Sequence, residues 1–107
     1  MMGTKELEET GAEVYTFARP VNFEGDTFES LSIDFDKLTG EDILTCDRQY
    51  QMESARQSGG ELIKETNKAY QAYIVARAAG VHVGLIKALP AKDFTKLTLQ
   101  AQSFLLL

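Results

Sequence analysis

Apolar and polar residues alternate in one part of this chain and recur at three- and four-residue intervals in the rest. Leu31, Ile33 and Phe35 alternate with Ser30, Ser32 and Asp34. That period of two predicts a strand with one buried and one wet face. Phe28 breaks the parity, and a bulge around Glu29 would return it to the apolar face. Upstream, Val14-Tyr15-Thr16-Phe17-Ala18-Arg19 is rich in β-formers. Pro20 lacks the N–H a central strand donates, so this strand belongs at an edge, or bulges or ends there. Phe23-Glu24-Gly25-Asp26-Thr27 is a turn signal, with Gly25 suited to positive φ. The N-terminal third therefore predicts a β-hairpin. Two strands alone are marginal in water, so helices or a neighbouring sheet must cover the apolar face.

The period then lengthens. Thr39-Gly40-Glu41-Asp42 has the form of a capping box, with two carboxylates at the positive end of a helix dipole. A first helix is predicted from about Gly40 to Gln57, with Ile43, Leu44, Cys46, Tyr50, Met52 and Ala55 as its apolar stripe. Ser58-Gly59-Gly60 ends it. A second helix is predicted over Glu61 to Ala79. Leu62, Thr66, Ala69, Tyr70, Tyr73, Ile74 and Arg77 recur along one face, and Gly80 is the cap. Residues 81–89 fit a short helix or an extended connector equally. Pro90 favours a fresh helix start. In that last helix Phe94, Leu97, Ala101, Phe104 and Leu105 share a face. The expected fold class is α+β: an N-terminal hairpin followed by three to four helices. It forms one domain over 13–107, preceded by a flexible acidic tail at 1–12.

Composition adds limits on function. The chain has 107 residues, 44% hydrophobic and 25% charged, an ordinary globular balance. No apolar run approaches the ~18 residues of a membrane span, and Met1-Met2-Gly3-Thr4-Lys5-Glu6 lacks the layout of a signal peptide. Neither membrane insertion nor export is expected. A lone Cys46 forms no internal disulfide and suits a reducing cytoplasm. The net charge of −5 is unevenly spread: residues 1–47 hold 12 acidic and 3 basic side chains, residues 48–107 hold 4 and 8. An acidic balance argues against nonspecific nucleic-acid binding. The asymmetry suits two solvated faces, or acidic-to-basic association of copies in a homo-oligomer.

Candidate chemistry is sparse. His82, the only histidine, has Val81 and Val83 beside it and no nucleophile or orienting acid nearby. Cys46 is expected to be an inert, partly buried thiol, since Asp47 opposes thiolate formation. Asp34 and Asp36, with Glu41 and Asp42, lack the ligand order of a calcium loop. Gly80-Val81-His82-Val83-Gly84 lacks the Gly-Lys-Ser/Thr of a phosphate loop. Catalytic, cofactor and metal residues are therefore expected to be absent, as is a small-molecule substrate. One feature points outward. Ser103-Phe104-Leu105-Leu106-Leu107 is apolar where chain ends are usually solvated, and Leu99, Leu106 and Leu107 do not all fit the stripe of Phe94, Leu97 and Phe104. Apolar groups left outside mark a contact surface.

The order of these segments resembles the small tail assembly chaperones of tailed bacteriophages and Mu-like prophages. The resemblance covers roughly Val14 to Leu107. It rests on Arg19-Pro20-Val21-Asn22-Phe23-Glu24-Gly25-Asp26-Thr27-Phe28, then Leu38-Thr39-Gly40-Glu41-Asp42-Ile43-Leu44, then Ala76-Arg77-Ala78-Ala79-Gly80, and finally Ile86-Lys87-Ala88-Leu89-Pro90-Ala91-Lys92-Asp93-Phe94 with a helix closing in Phe104-Leu105. It implies a non-catalytic role in the host cytoplasm: binding and solubilising the tape measure protein and helping to recruit tail tube subunits, often as a self-associating protein. The expected binding surface is Phe94, Leu97, Phe104, Leu105, Leu106 and Leu107, with Tyr70, Tyr73 and Ile74 as its packing partners or extension. The alternatives are a connector-like structural subunit of the virion and a small regulatory adaptor.

Overall fold

A computed structural model describes residues 12–54 and 66–106. It contains an antiparallel hairpin, β1 (Glu13–Phe23) and β2 (Asp26–Ile33), then four helices: α1 (Gly40–Ser54), α2 (Lys68–Ala79), α3 (Val83–Lys87) and α4 (Ala91–Leu106). This is the expected α+β arrangement. Most of the predicted acidic tail, the Ser58-Gly59-Gly60 break, Ala55, Leu62 and Leu107 lie outside the described residues.

The hairpin turns at Glu24 and Gly25, both with positive φ (52° and 87°). A two-residue turn of that hand matches the right-handed twist of the strands. The bulge falls on β1 at Pro20, one of the outcomes expected of that strand, and not on β2 around Glu29. Thr16 pairs with Ser30 and Val21 with Phe28, so Phe17 to Pro20 all lie across from Glu29 alone. Pro20, which cannot donate to the ladder, falls inside this irregularity. β2 stops at Ile33, so Phe35 does not continue the alternation. It opens a one-turn 3-10 helix, Phe35–Lys37, because the Asp34 carboxylate takes the Asp36 N–H (3.1 Å).

The Thr39–Asp42 capping box forms as the sequence indicates. Thr39 N–H donates to the Asp42 carboxylate at 2.8 Å, and Asp42 N–H donates to Thr39 Oγ1 at 3.3 Å. Along α1, Cys46 and Tyr50 are buried and Ile43 is half-buried, but Leu44 and Met52 point to solvent. At about 100° per residue, Leu44 is a little over a quarter of a turn away from Ile43, and Met52 lies nearly opposite Tyr50.

α2 begins at Lys68, after an extended Asn67 (φ −88°, ψ 126°); the predicted start at Glu61 lies outside the described residues. The Asn67 side chain fixes that start by accepting the Tyr70 N–H at 3.0 Å. The helix ends in a Schellman motif: Gly80 (φ 71°) adopts the left-handed conformation and the Val81 N–H reaches the Ala76 carbonyl at 3.0 Å. Its predicted single apolar face is an underestimate. Tyr70 through Ala76, and Ala78, are all buried, the pattern of a helix covered on every side. It packs against α1, α3, α4 and β2. Arg77 escapes to the surface and pairs with Asp42 at 2.8 Å.

The ambiguous stretch 81–89 contains the short helix α3. His82 caps it, its Nδ1 accepting the Gly84 N–H at 2.8 Å. The core runs from Phe17, Val21, Leu31 and Ile33 of the hairpin through α2 to Leu85, Ile86, Leu97 and Ala101.

Candidate interaction surface

Helix α4 has two sharply different sides. Its first turn follows Pro90, whose carbonyl accepts the Phe94 N–H at 2.9 Å. Leu97, Thr98 and Ala101 are fully buried and Asp93 is 2% exposed. Lys92, Thr95, Lys96, Leu99, Gln100, Ser103 and Leu106 are exposed. Residues three and four apart share a face of a helix, so Lys92, Lys96, Leu99, Ser103 and Leu106 form one continuous outer row. Leu99 is 53% and Leu106 54% exposed.

The inner side is anchored by a carboxylate. Asp93 accepts the Tyr15 hydroxyl at 2.7 Å and the Ala18 N–H at 2.9 Å. Ala18 lies in the irregular stretch of β1, so Asp93 satisfies a donor that the interrupted ladder leaves without a strand partner. Burial pushes the Tyr15 hydroxyl up to about 12, helped by its bond to Asp93 and that charge. Farther along α4, Thr98 Oγ1 donates back to the Phe94 carbonyl (2.8 Å) and accepts from Lys68 Nζ (3.0 Å). Gln71 Nε2 of α2 donates to Gln102 (2.8 Å). Phe104 stacks on Phe35 with ring centroids 5.5 Å apart. The two rings help line a cleft of about 210 Å³ that runs past Val14 and Tyr15.

The nine expected contact residues separate accordingly. Leu106 is on the outside. Phe94, Phe104 and Leu105 are half-buried against the core. Leu97 is a correction: with no exposed area, it packs within the chain and offers nothing to a partner in this conformation. Tyr70 and Ile74 are buried, and Tyr73 is 9% exposed. All three belong to the covered helix α2 and do not extend the surface of the last helix; Tyr70 meets the Tyr50 ring of α1 edge-on, and the Tyr73 hydroxyl donates to Glu53 of α1. Leu107 lies outside the described residues. Leu99, outside the expected contact set, joins Leu106 on the exposed row, in keeping with its mismatch to the inner stripe. Leu44 and Met52, expected in the apolar stripe of α1, stand 54% and 75% exposed.

The titratable groups away from α4 hold elements together. Glu53 accepts from Tyr73 Oη and from Lys87 Nζ, both at 2.7 Å, joining α1, α2 and α3. The lysine and then the tyrosine hold its carboxyl below the usual range. Tyr73 is raised to about 12, first by burial and then by Glu53. The Thr39 N–H and then Arg77 hold Asp42 low. Burial pushes the Cys46 thiol up to about 11. Its Sγ donates to the Tyr73 carbonyl at 3.5 Å. A thiol so placed is protonated at neutral pH and is a poor nucleophile. Among the described residues, no cluster of three or more His, Cys, Asp or Glu is arranged to hold a metal ion, and no helix is long and apolar enough to cross a membrane.

Comparison with protein-family models, with curated proteins and with solved structures returns no match.

Proposed function

We propose that this protein is a phage tail assembly chaperone acting without catalysis in the host cytoplasm. It holds apolar helical stretches of the tape measure protein and helps bring tail tube subunits to it. The observation that carries the reading is the Leu99–Leu106 row on α4. The two leucines are seven residues apart, so they stand nearly one above the other, with half-buried Phe94 and Leu105 on the same helix. An amphipathic client helix recognises such a row through anchors at the same spacing. The element order, from the Arg19-Pro20 hairpin to the Leu89-Pro90 helix start, follows the resemblance on which the reading rests.

Co-expression with the tape measure protein tests it. The long protein should move from the insoluble to the soluble fraction with this chain present, and much less so with Leu99→Asp/Leu106→Asp. Equal solubility without this chain would overturn the reading. Its retention in purified virions would favour a structural subunit, because a chaperone leaves before the particle is complete.

A further inference from the structure

The large apolar side chains that stand more than half exposed among the described residues are Val14, Leu44, Met52, Leu99 and Leu106. Four of these lie in two helical rows. The outer row of α1 runs Glu41, Leu44, Arg48, Gln51, with Met52 adjoining. The outer row of α4 runs Lys96, Leu99, Ser103, Leu106. Both rows have the spacing three, four, three. Each begins with a charge and continues with leucine, and the two charges are opposite. Lys92 adds a second positive group one turn before Lys96. Neither Glu41 nor the two lysines forms an ion pair with another described residue, in contrast to Asp42 and Glu53.

We propose that the outer row of α1 is the docking site for the outer row of α4 of a second copy of this chain, the two helices running parallel. In that register Glu41 meets Lys96, Leu44 meets Leu99, Arg48 meets Ser103, and Gln51 and Met52 meet Leu106. The antiparallel alternative places Arg48 on Leu99 and Glu41 on Leu106, which desolvates both charges without a partner. Opposite charges at one end fix the register, and the apolar pairs supply the buried area. α1 and α4 both pack on α2 and make little contact with each other, so the two rows belong to different flanks of the helical layer. The interface is therefore heterologous: each copy uses one patch and offers the other, which builds a ring or an open chain. A client helix on Leu99 and Leu106 would displace the neighbouring copy. The association itself uses only this chain and does not depend on the proposed client.

Sedimentation of the purified full chain tests this. Association should grow with concentration beyond the dimer and weaken as salt rises from about 0.05 M to about 0.5 M. Leu44→Glu and Leu99→Glu should each remain monomeric with unchanged circular dichroism. Mixed together they should give a one-to-one heterodimer that grows no further, since one intact α1 row meets one intact α4 row. Lys96→Glu should weaken association by about tenfold, and Lys96→Glu combined with Glu41→Lys should restore it. A wild-type chain still monomeric at about 1 mM would overturn the proposal. So would either leucine variant associating like wild type, or a mixture that forms no heterodimer.

Discussion

On its inner side α4 presents Asp93, Leu97, Thr98 and Ala101, none more than 2% exposed, while its outer side presents Lys92, Lys96, Leu99 and Leu106 to solvent. The same sixteen residues serve both, and they differ in what a substitution can cost. The inner side joins the hairpin to the helical layer, so changes there act on folding. On the outer side Leu99 and Leu106 leave about half their surface to solvent, so changes there are expected to act less on folding and more on the proposed association. Hydrophobicity alone does not separate the sides, because leucines occur on both. Position on the helical wheel relative to α2 does.

The largest effect should come from Leu97→Ala. It empties a fully buried site beside α2, and a loss of about 2–5 kcal/mol of stability is expected, read from urea unfolding. A loss under about 1 kcal/mol would mean that the inner side is not close-packed. Asp93→Ala should follow at about 1–3 kcal/mol, because the Ala18 N–H and the Tyr15 hydroxyl both lose their acceptor. Hydrogen exchange at Ala18 should accelerate, which an apolar cavity elsewhere on α4 would not cause. Thr39→Ala removes the cap of α1 and should cost about 1 kcal/mol. Leu99→Asp should lie within about 0.5 kcal/mol of wild type in a dilute melt, while abolishing self-association. A large loss of stability there would erase the contrast between the two sides.

The alkaline limb of stability gives a finer test. The pKa values of Cys46, Tyr15 and Tyr73 are raised, so the fold favours their protonated forms. Their contribution is complete below the ordinary values. It fades as pH rises, from 9.0 to about 11 for the thiol and from 10.0 to about 12 for the tyrosines. Cys46→Ala should therefore flatten the first part of that decline, monitored by thermal melts at successive pH values. In Asp93→Ala, absorbance titration should find Tyr15 ionising closer to 10, although burial keeps part of the shift. Asp42 and Glu53 have the opposite sign. Their lowered pKa values stabilise the fold above the ordinary carboxylate range, and that contribution is lost as acid protonates them.

Local rules made several features legible. The capping box at Thr39, the Gly25 turn, the Gly80 cap and the Pro90 start depend on residues within four positions of each other, and all four stand where the chain chemistry puts them. The misses share a cause. Cys46 and Leu44 both read as apolar α1 residues, yet only one faces α2. Leu97 and Leu99 differ by two positions, or 200° around the helix, and only packing on α2 shows that the first is inside. The start of α2 is set by Asn67, which the periodicity does not single out: its side chain accepts the Tyr70 N–H.

The sequence by itself determined the element types and most of their ends, because caps, turns and periodicity act over a few residues. It also determined the charge asymmetry and the surplus of apolar groups late in the chain. The tertiary structure decided which side of each helix is covered. α2 sits between α1 and α4 and is buried from Tyr70 to Ala76, which leaves Leu44, Met52, Leu99 and Leu106 outside. It also decided the role of Asp93, an ordinary first-turn carboxylate in the sequence. Only the fold brings it within hydrogen-bonding distance of Tyr15 and Ala18, more than 70 residues earlier in the chain.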